Sequence, residues 1–266
     1  MTTKAARAVA HMRPDVVITV KGDVLGPAYW CSIDDSGAHQ LLWLYDELAR
    51  MRFAEEVLGS RPSIVSYSPN DVLLLQARGL RAAHVLDAYD HTVTFSPVRS
   101  EEVVFVGARY PERTRILEAL HHRGVRVRAY GRDWSKHPFD RLRTWQIERP
   151  DVPSGRDVTR SGAYGITAGA VAGLNSHTDQ DGFTMRTYEL PGTGSLQLID
   201  RPDIDALDEP GREVLVFGDL DELTELCRRA HRDRRWAQEI ARAGRARTLA
   251  HHTFDHRVPQ LESAWS

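Results

Sequence analysis

The strongest strand signal in the chain is the stretch Glu102-Val103-Val104-Phe105-Val106-Gly107. A short, nearly continuous run of β-branched and aromatic residues is typical of a strand in the interior of a sheet. Residues 113–122 follow with helical spacing of their apolar positions, and residues 125–131 alternate again as a strand. A strand, a helix and a second strand in this order indicate a βαβ unit and therefore a parallel sheet.

The same alternation extends outward from this unit in both directions. Toward the N-terminus we predict a short helix at 4–12, strands at 15–20, 41–45, 63–66 and 83–86, and helices at 47–58 and 71–77. Toward the C-terminus we predict strands at 195–200 and 214–217 and helices at 219–229 and 234–247. The pattern predicts an α/β protein with two consecutive Rossmann-like halves, joined by a linker at 91–101.

Composition limits the classes of protein that this chain can represent. It has 266 residues, of which 41% are hydrophobic and 27% charged, and this suits one or two globular domains. Lys and Arg total 35 against 37 Asp and Glu, a formal charge of -2 that argues against a dedicated nucleic-acid binder. The two cysteines form no C-x-x-C pair, and no secretory or membrane-spanning apolar run is present. We expect a cytoplasmic protein without a membrane span.

A first candidate site lies where the strand at 102–107 ends. In an open parallel sheet, ligands gather at the carboxyl ends of the strands. Gly107 would let the backbone approach a phosphate there, and Arg109 would add charge. The chain has no G-x-G-x-x-G motif, and a lone glycine after a strand is often only a turn.

A second candidate site is the segment from Arg186 to Gly194. Gly192, Thr193 and Gly194 could form a loop that presents backbone N–H groups to a diphosphate, while Arg186 supplies a forked cationic donor. The carboxylate of Glu189 could accept hydrogen bonds from a ribose. The alternative interpretation is an ordinary helix-surface pair of Arg186 and Glu189 at i, i+3.

Histidines and arginines are numerous, but their spacing favours structural roles. The pairs His121-His122 and His251-His252 suit the C-terminal ends of helices, where a partial positive charge is favourable, and no H-E-x-x-H motif exists. Eight arginines between 228 and 247 indicate a solvated helix face, with a nucleic-acid groove as the alternative. No P-loop and no G-x-S-x-G motif are present, and this argues against an NTPase and against an α/β-hydrolase.

Taken in order, these segments resemble the CgeB-like (spore-maturation type) glycosyltransferases, relatives of the group 1 family. The resemblance is strongest at Arg186-Thr187-Tyr188-Glu189-Leu190-Pro191-Gly192-Thr193-Gly194. It is also carried by residues 103–107, 127–134, 173–177, 198–200, 210–214, 221–223, 240–244 and 252–254, and in the first half by 43–46 and 79–90. It implies the GT-B fold, in which two Rossmann-like domains with parallel sheets face a cleft, with a reduced N-terminal domain at 1–98, a nucleotide-sugar domain at 99–250, and a C-terminal segment at 251–266 that returns toward the first domain.

The resemblance also implies a donor site for a nucleoside-diphosphate sugar, which serves as co-substrate without a cofactor or a bound metal. By position, Glu189 matches the carboxylate that grips the ribose, and Arg186 lies beside the diphosphate. The implied donor-binding residues are Gly107, Arg109, Gly131, Trp134, Asn175, His177, Arg186, Glu189, Gly192, Thr193 and Gly194. Of the two glutamates common in related transferases, only the second has a clear match, and Asp181 approximates the first.

The acceptor side departs from the family pattern, because the chain opens with a short helix and passes directly to a strand. Three explanations stay open: a reduced acceptor site, a site completed by a partner chain or a second copy, or a large acceptor such as a glycan, protein or nucleic acid. The first candidate for the catalytic base is Asp46, at the end of a strand, and the second is Asp23. An acid in such a position can equally be a helix cap.

The prediction is a glycosyltransferase that moves a sugar from a nucleoside-diphosphate donor to an unknown acceptor. One rival is a GT-B-like epimerase that acts on the nucleotide sugar itself and needs no acceptor. Another is a non-catalytic module that binds sugar nucleotides or partners an active subunit. A third is an enzyme that modifies nucleic acid, with the arginine-rich helix as its groove.

Overall fold

The computed structural model describes residues 1–145 and 148–265. The chain divides into two compact units. The first comprises residues 1–87, 180–184 and 254–266, and the second comprises 88–179 and 185–253. Both units thus draw on separated parts of the chain. The domain limits at 98 and 250 that the family resemblance implies stay a prediction.

Residues 1–87 alternate helices with four parallel strands. The strands are β1 (Val16–Val20), β2 (His39–Leu44), β3 (Ile64–Ser66) and β4 (Ala82–His84), and they follow one another across the sheet in chain order. The helices are α1 (Thr2–Met12), α2 (Pro27–Asp34), α3 (Glu55–Gly59) and α4 (Pro69–Ala77). The hydroxyl of Ser68 accepts from the backbone N–H of Asp71 and caps α4, which confirms one of its two predicted caps.

The second unit contains six strands and six helices among its described residues. The strands are β5 (Val103–Val106), β6 (Val127–Tyr130), β7 (Ser154–Gly155), β8 (Ala172–Asn175), β9 (Gln197–Ile199) and β10 (Leu215–Val216). The helices are α5 (Pro111–His122), α6 (Pro138–Thr144), α7 (Arg160–Gly169), α8 (Arg186–Gly192), α9 (Leu220–Arg232) and α10 (Arg234–His251). All neighbouring strands are parallel, and this confirms the α/β class with parallel sheets.

The order of strands in the second sheet fixes where a ligand can bind. It runs β10-β9-β8-β5-β6-β7, so the winding reverses between β5 and β8. This is the doubly wound Rossmann order, in which ligands occupy the crevice outside the carboxyl ends of the strands at the reversal. Those ends lie at Val106 and Asn175.

The last helix, α11 (Val258–Trp265), returns to the first unit and covers one face of its sheet. Side chains of β2 alternate between the two faces, as a strand requires. Leu42 and Leu44 belong to the core on the side of α2, while Leu41 and Trp43 pack with Leu261 of α11. Residues separated by more than 200 positions in the sequence therefore share one core.

The predicted helix at 47–58 is wrong as a single element. Leu48–Arg50 form one turn of 3-10 helix, and α3 starts again only at Glu55. The carboxylate of Asp71 accepts from the backbone N–H of Leu48 at 2.9 Å and holds the first turn in place. Phe53 follows in the extended piece and packs against Trp30 with 6.4 Å between ring centroids. Tertiary contacts therefore override the helical spacing of this segment.

No helix among residues 1–145 and 148–265 is long and apolar enough to cross a membrane.

Candidate functional site

Two glycines shape the surface at the carboxyl ends of β5 and β6. Gly107 follows β5 with φ +151°, and its N–H donates to the carbonyl of Tyr130 at 3.0 Å. Gly131 follows β6 with φ +147°, and a Cβ added there would lie 2.7 Å from the carbonyl oxygen of Gly107. Only residues without a side chain allow the two loops to approach this closely. The backbone around Gly107 is consequently accessible to a ligand.

Arg186 lies against Gly107 at the start of α8. Its Nη2 and Nε donate to the carbonyl of Val106 at 2.7 and 3.0 Å, and its guanidinium carbon sits 4.7 Å from the centre of the Phe105 ring. Burial and the neighbouring Arg113 lower the pKa of Arg186 to about 9, so the group still carries its positive charge at neutral pH. The reversal point of the sheet therefore holds a partly desolvated cation.

Arg113 adds a second buried guanidinium at the same edge. It is 4% exposed, and its Nη2 and Nε donate to the carbonyl of Ser176, just beyond β8, at 2.7 and 3.0 Å. The sequence alone predicts no part in the site for this residue. The sequence does contain a sign of its burial. Arg113 has helical spacing with Leu117 and Leu120, which are also buried, so it lies on the apolar face of the helix.

Glu189 follows Arg186 by one turn of α8. The hydroxyl of Tyr164 donates to its Oε1 at 3.2 Å, and Nε of Arg160 lies 3.9 Å from the same oxygen. Burial raises the pKa of this carboxyl group above its ordinary value. Arg186 and Glu189 thus place opposite charges one turn apart, each held by its own partners rather than by an exposed helix-surface pair.

Two predicted donor-binding residues, Trp134 and Asn175, lie beneath this surface. Trp134 is 1% exposed, packs edge-on against Phe105, and donates from Nε1 to the carbonyl of Gly107 at 2.9 Å. Asn175 is buried and donates to Thr187 and Gln197, both at 3.1 Å. The structure places these side chains in positions that support Gly107 and α8, and any role in binding the donor stays a prediction.

His177 is equally buried, directly after the carboxyl end of β8. Its backbone N–H donates to Asp200, and its Nδ1 lies 3.4 Å from Oδ1 of that carboxylate. Burial lowers the pKa of the imidazole below its ordinary value. The neutral ring is therefore favoured, and it spans Asp200 and the Thr187 hydroxyl, which lies 3.2 Å from Nε2.

The prediction that Gly192, Thr193 and Gly194 form a loop with free N–H groups is wrong. Gly192 is the last residue of α8, and the N–H groups of Thr193 and Gly194 donate to carbonyls of the same helix end. Gly194 lines a pocket of about 450 Å³ together with Glu101 and Val171, which precede β5 and β8. The segment therefore lies at the amino-terminal ends of the strands, whereas Gly107 lies at their carboxyl ends.

Two pockets border the loops that follow β5 and β6. One, of about 550 Å³, is lined by Arg109, Tyr110 and Arg149, and Arg109 reaches the carbonyl of Glu148 at 3.4 Å. The other, of about 280 Å³, is lined by Gly107, Gly131 and further residues of these loops. The structure thus groups four predicted donor-binding residues, Gly107, Arg109, Gly131 and Arg186, at the carboxyl edge of the second sheet.

The two candidate bases lie after neighbouring strands of the first unit, in different surroundings. Asp46 follows β2. Its carboxylate accepts one hydrogen bond from Nζ of Lys21 at 3.2 Å and another from the backbone N–H of Glu47. Asp23 follows β1 and lines a largely apolar pocket of about 470 Å³ beside Trp30 and Phe53. Its Oδ1 is buried without a hydrogen-bond partner among the described residues.

Asp181 also belongs to the first unit. The Ser68 hydroxyl donates to its carboxylate at 2.7 Å, and the N–H of Asn70 does so at 2.9 Å. Its own N–H donates to Glu47 at 2.9 Å. These contacts give Asp181 a structural role in joining residues 180–184 to α4, and its match to the first family acid stays a prediction.

In the parts of the chain that the structure describes, no three His, Cys, Asp or Glu side chains are placed to hold a metal ion. His121 and His122 end α5, while His251 ends α10 and His252 follows it. This confirms their predicted positions at helix C-termini.

Several solved structures with the same fold are glycosyltransferases of the GT-B class. HepE (Alr3699) of Anabaena, determined in complex with UDP-glucose, matches with a TM-score of 0.67 at 14% identity, over 97% of this chain and 80% of HepE. Sucrose-phosphate synthase of Thermosynechococcus elongatus matches with a TM-score of 0.63 at 14% identity, over 98% of this chain and 76% of the synthase. The predicted GT-B fold is thereby confirmed.

The family described as glycosyl transferase-like matches residues 109–263, more than half of the sequence, and the chain belongs to that family. A Listeria monocytogenes protein assigned as a UDP-N-acetylglucosamine 2-epimerase also matches, with a TM-score of 0.54 at 10% identity over 91% of this chain and 72% of that protein. No curated protein shows significant similarity to the sequence.

Proposed function

We propose that this protein transfers a sugar from a nucleoside-diphosphate sugar to an acceptor, as a CgeB-like member of its family and without a bound metal ion. The observation that carries the proposal is the partly desolvated Arg186 guanidinium at the reversal point of the second sheet, against Gly107 and one turn from Glu189. A partly desolvated cation whose hydrogen bonds go to a carbonyl oxygen gains strongly from an anionic ligand.

In the proposed complex the diphosphate lies beside Arg186, with the backbone of Gly107 and the side chain of Arg109 at its border. Glu189 accepts hydrogen bonds from the ribose hydroxyls. During transfer the bond between the anomeric carbon and the β-phosphate oxygen breaks, and a bond from the acceptor oxygen to that carbon forms. The nucleoside diphosphate leaves with increased negative charge, and Arg186 stabilises that charge as it develops.

The acceptor oxygen must also lose its proton. Of the two candidate bases we propose Asp23, because Asp46 already accepts from Lys21 and from a backbone N–H, whereas Asp23 has an unused oxygen in a pocket. Asp23→Asn is then expected to lower the rate of transfer with little change in donor affinity. Asp46→Asn is the matched comparison, and an equal loss in both variants would argue against Asp23 as the base.

The first experiment is thermal unfolding with a panel of nucleoside diphosphates and nucleotide sugars. It includes UDP and UDP-glucose, the ligands reported with HepE. A ligand of the native state stabilises it by about 2.7 kcal/mol at a hundredfold excess over its Kd. We expect one nucleotide to raise the Tm of the wild type and not that of Glu189→Ala, while Glu225→Ala, an exposed glutamate of α9, retains the shift.

The pH dependence of binding is a second readout of the same site. Burial raises the pKa of Glu189 above the ordinary 4.5, so its carboxylate is lost at a higher pH than that of an exposed glutamate. Donor affinity should therefore fall as the pH is lowered toward that raised value, and Glu189→Gln should show a weaker dependence. A nucleotide shift that is equal in wild type and Glu189→Ala would overturn the assignment.

A second candidate function is epimerisation of the nucleotide sugar, favoured by the match to the Listeria protein. Epimerisation consumes the nucleotide sugar without any acceptor, so nucleotide-sugar turnover by the purified protein alone would select it. Donor binding without turnover across an acceptor panel would instead favour a non-catalytic binding module.

A further inference from the structure

The short helix α6 of the second unit has its apolar side chains on the outside. Phe139, Leu142 and Trp145 are 58%, 66% and 86% exposed. Phe139 and Leu142 are spaced at i and i+3 and lie on one face of α6, a helix about 10 Å long, and Trp145 follows as its C-cap with a left-handed backbone conformation. Helices of a globular protein ordinarily bury such a face in the core. The solvent side of this helix is therefore its apolar side.

The polar side of α6 is the side that is anchored. Asp140 is 4% exposed, and its carboxylate accepts from the Ser135 hydroxyl at 2.7 Å and from Nε of Arg156 at 2.9 Å. The hydroxyl of Thr144 donates to the carbonyl of Asp140 and accepts from Arg149 at 2.8 Å. These directional contacts fix the rotation of the helix about its axis. The outward position of the apolar face is thus built into the structure.

Between positions 136 and 145 the exposed charges have a single sign. Lys136, Arg141 and Arg143 are exposed, and the sole acidic residue between positions 136 and 145 is the buried Asp140. An exposed aromatic and aliphatic face bordered by Lys and Arg is the pattern of helices that lie in the interface of an anionic membrane. Tryptophan in particular favours the level of the lipid headgroups.

We propose that residues 136–145 form a docking surface for a membrane that contains anionic lipids. Phe139, Leu142 and Trp145 enter the boundary between headgroups and acyl chains, while Lys136, Arg141 and Arg143 contact lipid phosphates. With three inserting side chains the binding is reversible and depends on anionic lipid. A second protein chain would meet the same apolar side chains, but the three exposed cations between positions 136 and 145 match a phosphate-rich surface better.

Sedimentation with sucrose-loaded vesicles tests this directly, in the absence of any nucleotide. The full-length protein should bind vesicles with about 30% phosphatidylglycerol in phosphatidylcholine and bind pure phosphatidylcholine much more weakly. Replacing Phe139, Leu142 and Trp145 together by serine should abolish binding. Arg141→Ser with Arg143→Ser should weaken it about 25-fold, or about fivefold for each charge.

The control carries Leu73→Ser and Leu249→Ser, which also replace exposed apolar side chains by serine but lie elsewhere, and it should bind like the wild type. Unchanged circular dichroism and Tm in every variant would show that the fold is retained. The emission spectrum of Trp145 is obtained by subtracting the fluorescence of Trp145→Phe from that of the wild type. This spectrum should shift to the blue on addition of anionic vesicles.

Three results would overturn the proposal. They are no binding to anionic vesicles, equal binding by the triple serine variant, and a dimer that the triple variant loses while vesicles have no effect. None of these results depends on donor binding, so the glycosyltransferase proposal and the membrane proposal can fail separately.

Discussion

At the scale of single residues, two arginines, the half-buried Arg186 and the buried Arg113, define the candidate donor site. Arg186 was predicted from its place beside Glu189, and the structure puts it against Gly107. For Arg113 the sequence predicts only the start of a helix and no part in the site. It is in fact buried, with its guanidinium directed at the carbonyl of Ser176. A charged residue that falls on the apolar face of a predicted helix is visible in the sequence and indicates a buried charge.

Gly107 offers a test at this scale, because its Cα faces the guanidinium of Arg186. A Cβ at position 107 would overlap Nη2 of Arg186 and would also face the cost of a φ of +151°. We expect Gly107→Ala to displace Arg186 and to weaken nucleotide binding, measured as loss of the ligand-induced rise in Tm.

Gly211 provides the matched control, since its φ is +81° and an added Cβ there would meet open space. Gly211→Ala should cost about 1 to 2 kcal/mol of stability from the backbone alone and leave the nucleotide shift unchanged. If Gly107→Ala also keeps the full shift, the nucleotide does not depend on Arg186 in its present position.

At the scale of elements, the sequence predicts most strands and long helices of the structure, because hydrophobic spacing and caps are local properties. Elements that depend on close packing were not predicted. The strand β8 (Ala172–Asn175) carries Gly173, where a Cβ would overlap Leu190, so its sequence reflects proximity to α8 rather than strand propensity. The end of α8 was read as a loop because of its glycines, yet Gly192 is required there by the ring of Tyr89.

The junction of α9 and α10 gives a prediction at this scale. The helices meet at Asp233, whose carboxylate accepts from the N–H of Trp236 at 2.9 Å and caps α10. Asp233→Ala should lower the free energy of unfolding by about 1 kcal/mol, because a donor at the helix start loses its acceptor. Chemical denaturation of the two proteins measures the difference.

Asp233→Ser is the control for the cap itself, because serine also accepts at this position and should retain most of the stability. A loss as large in the serine variant as in the alanine variant would indicate that the charge, and not the cap, matters at this junction.

At the scale of the whole molecule, each compact unit is assembled from separated parts of the chain. The first unit receives α11 from the C-terminal segment, and Leu261 packs with Leu41, Trp43 and Val65. The C-terminal segment was predicted to return to the N-terminal domain on the strength of the family resemblance alone. Local spacing cannot show it, because the core residues of the first sheet that α11 contacts lie more than 170 residues away in the sequence.

The contribution of α11 can be measured with two substitutions in the same helix. Leu261 is 5% exposed, and Leu261→Ala should lower the free energy of unfolding by about 2 to 5 kcal/mol through lost burial and a residual cavity. Val258 is 46% exposed, and Val258→Ala should change it by less than about 0.5 kcal/mol. Similar effects at both positions, in denaturant titrations that follow tryptophan fluorescence, would contradict the packing of α11 on the first sheet.

The place of α11 in the chain has a consequence during translation. The face of the first sheet that carries Leu41 and Trp43 leaves the ribosome early, but the helix that covers it is made after the whole of residues 88–253. At about 5 to 20 residues per second, that face waits for roughly 10 to 30 seconds. During this interval the nascent chain presents an open apolar surface to chaperones at the ribosome exit. The first unit to be synthesised is thus the last to be completed.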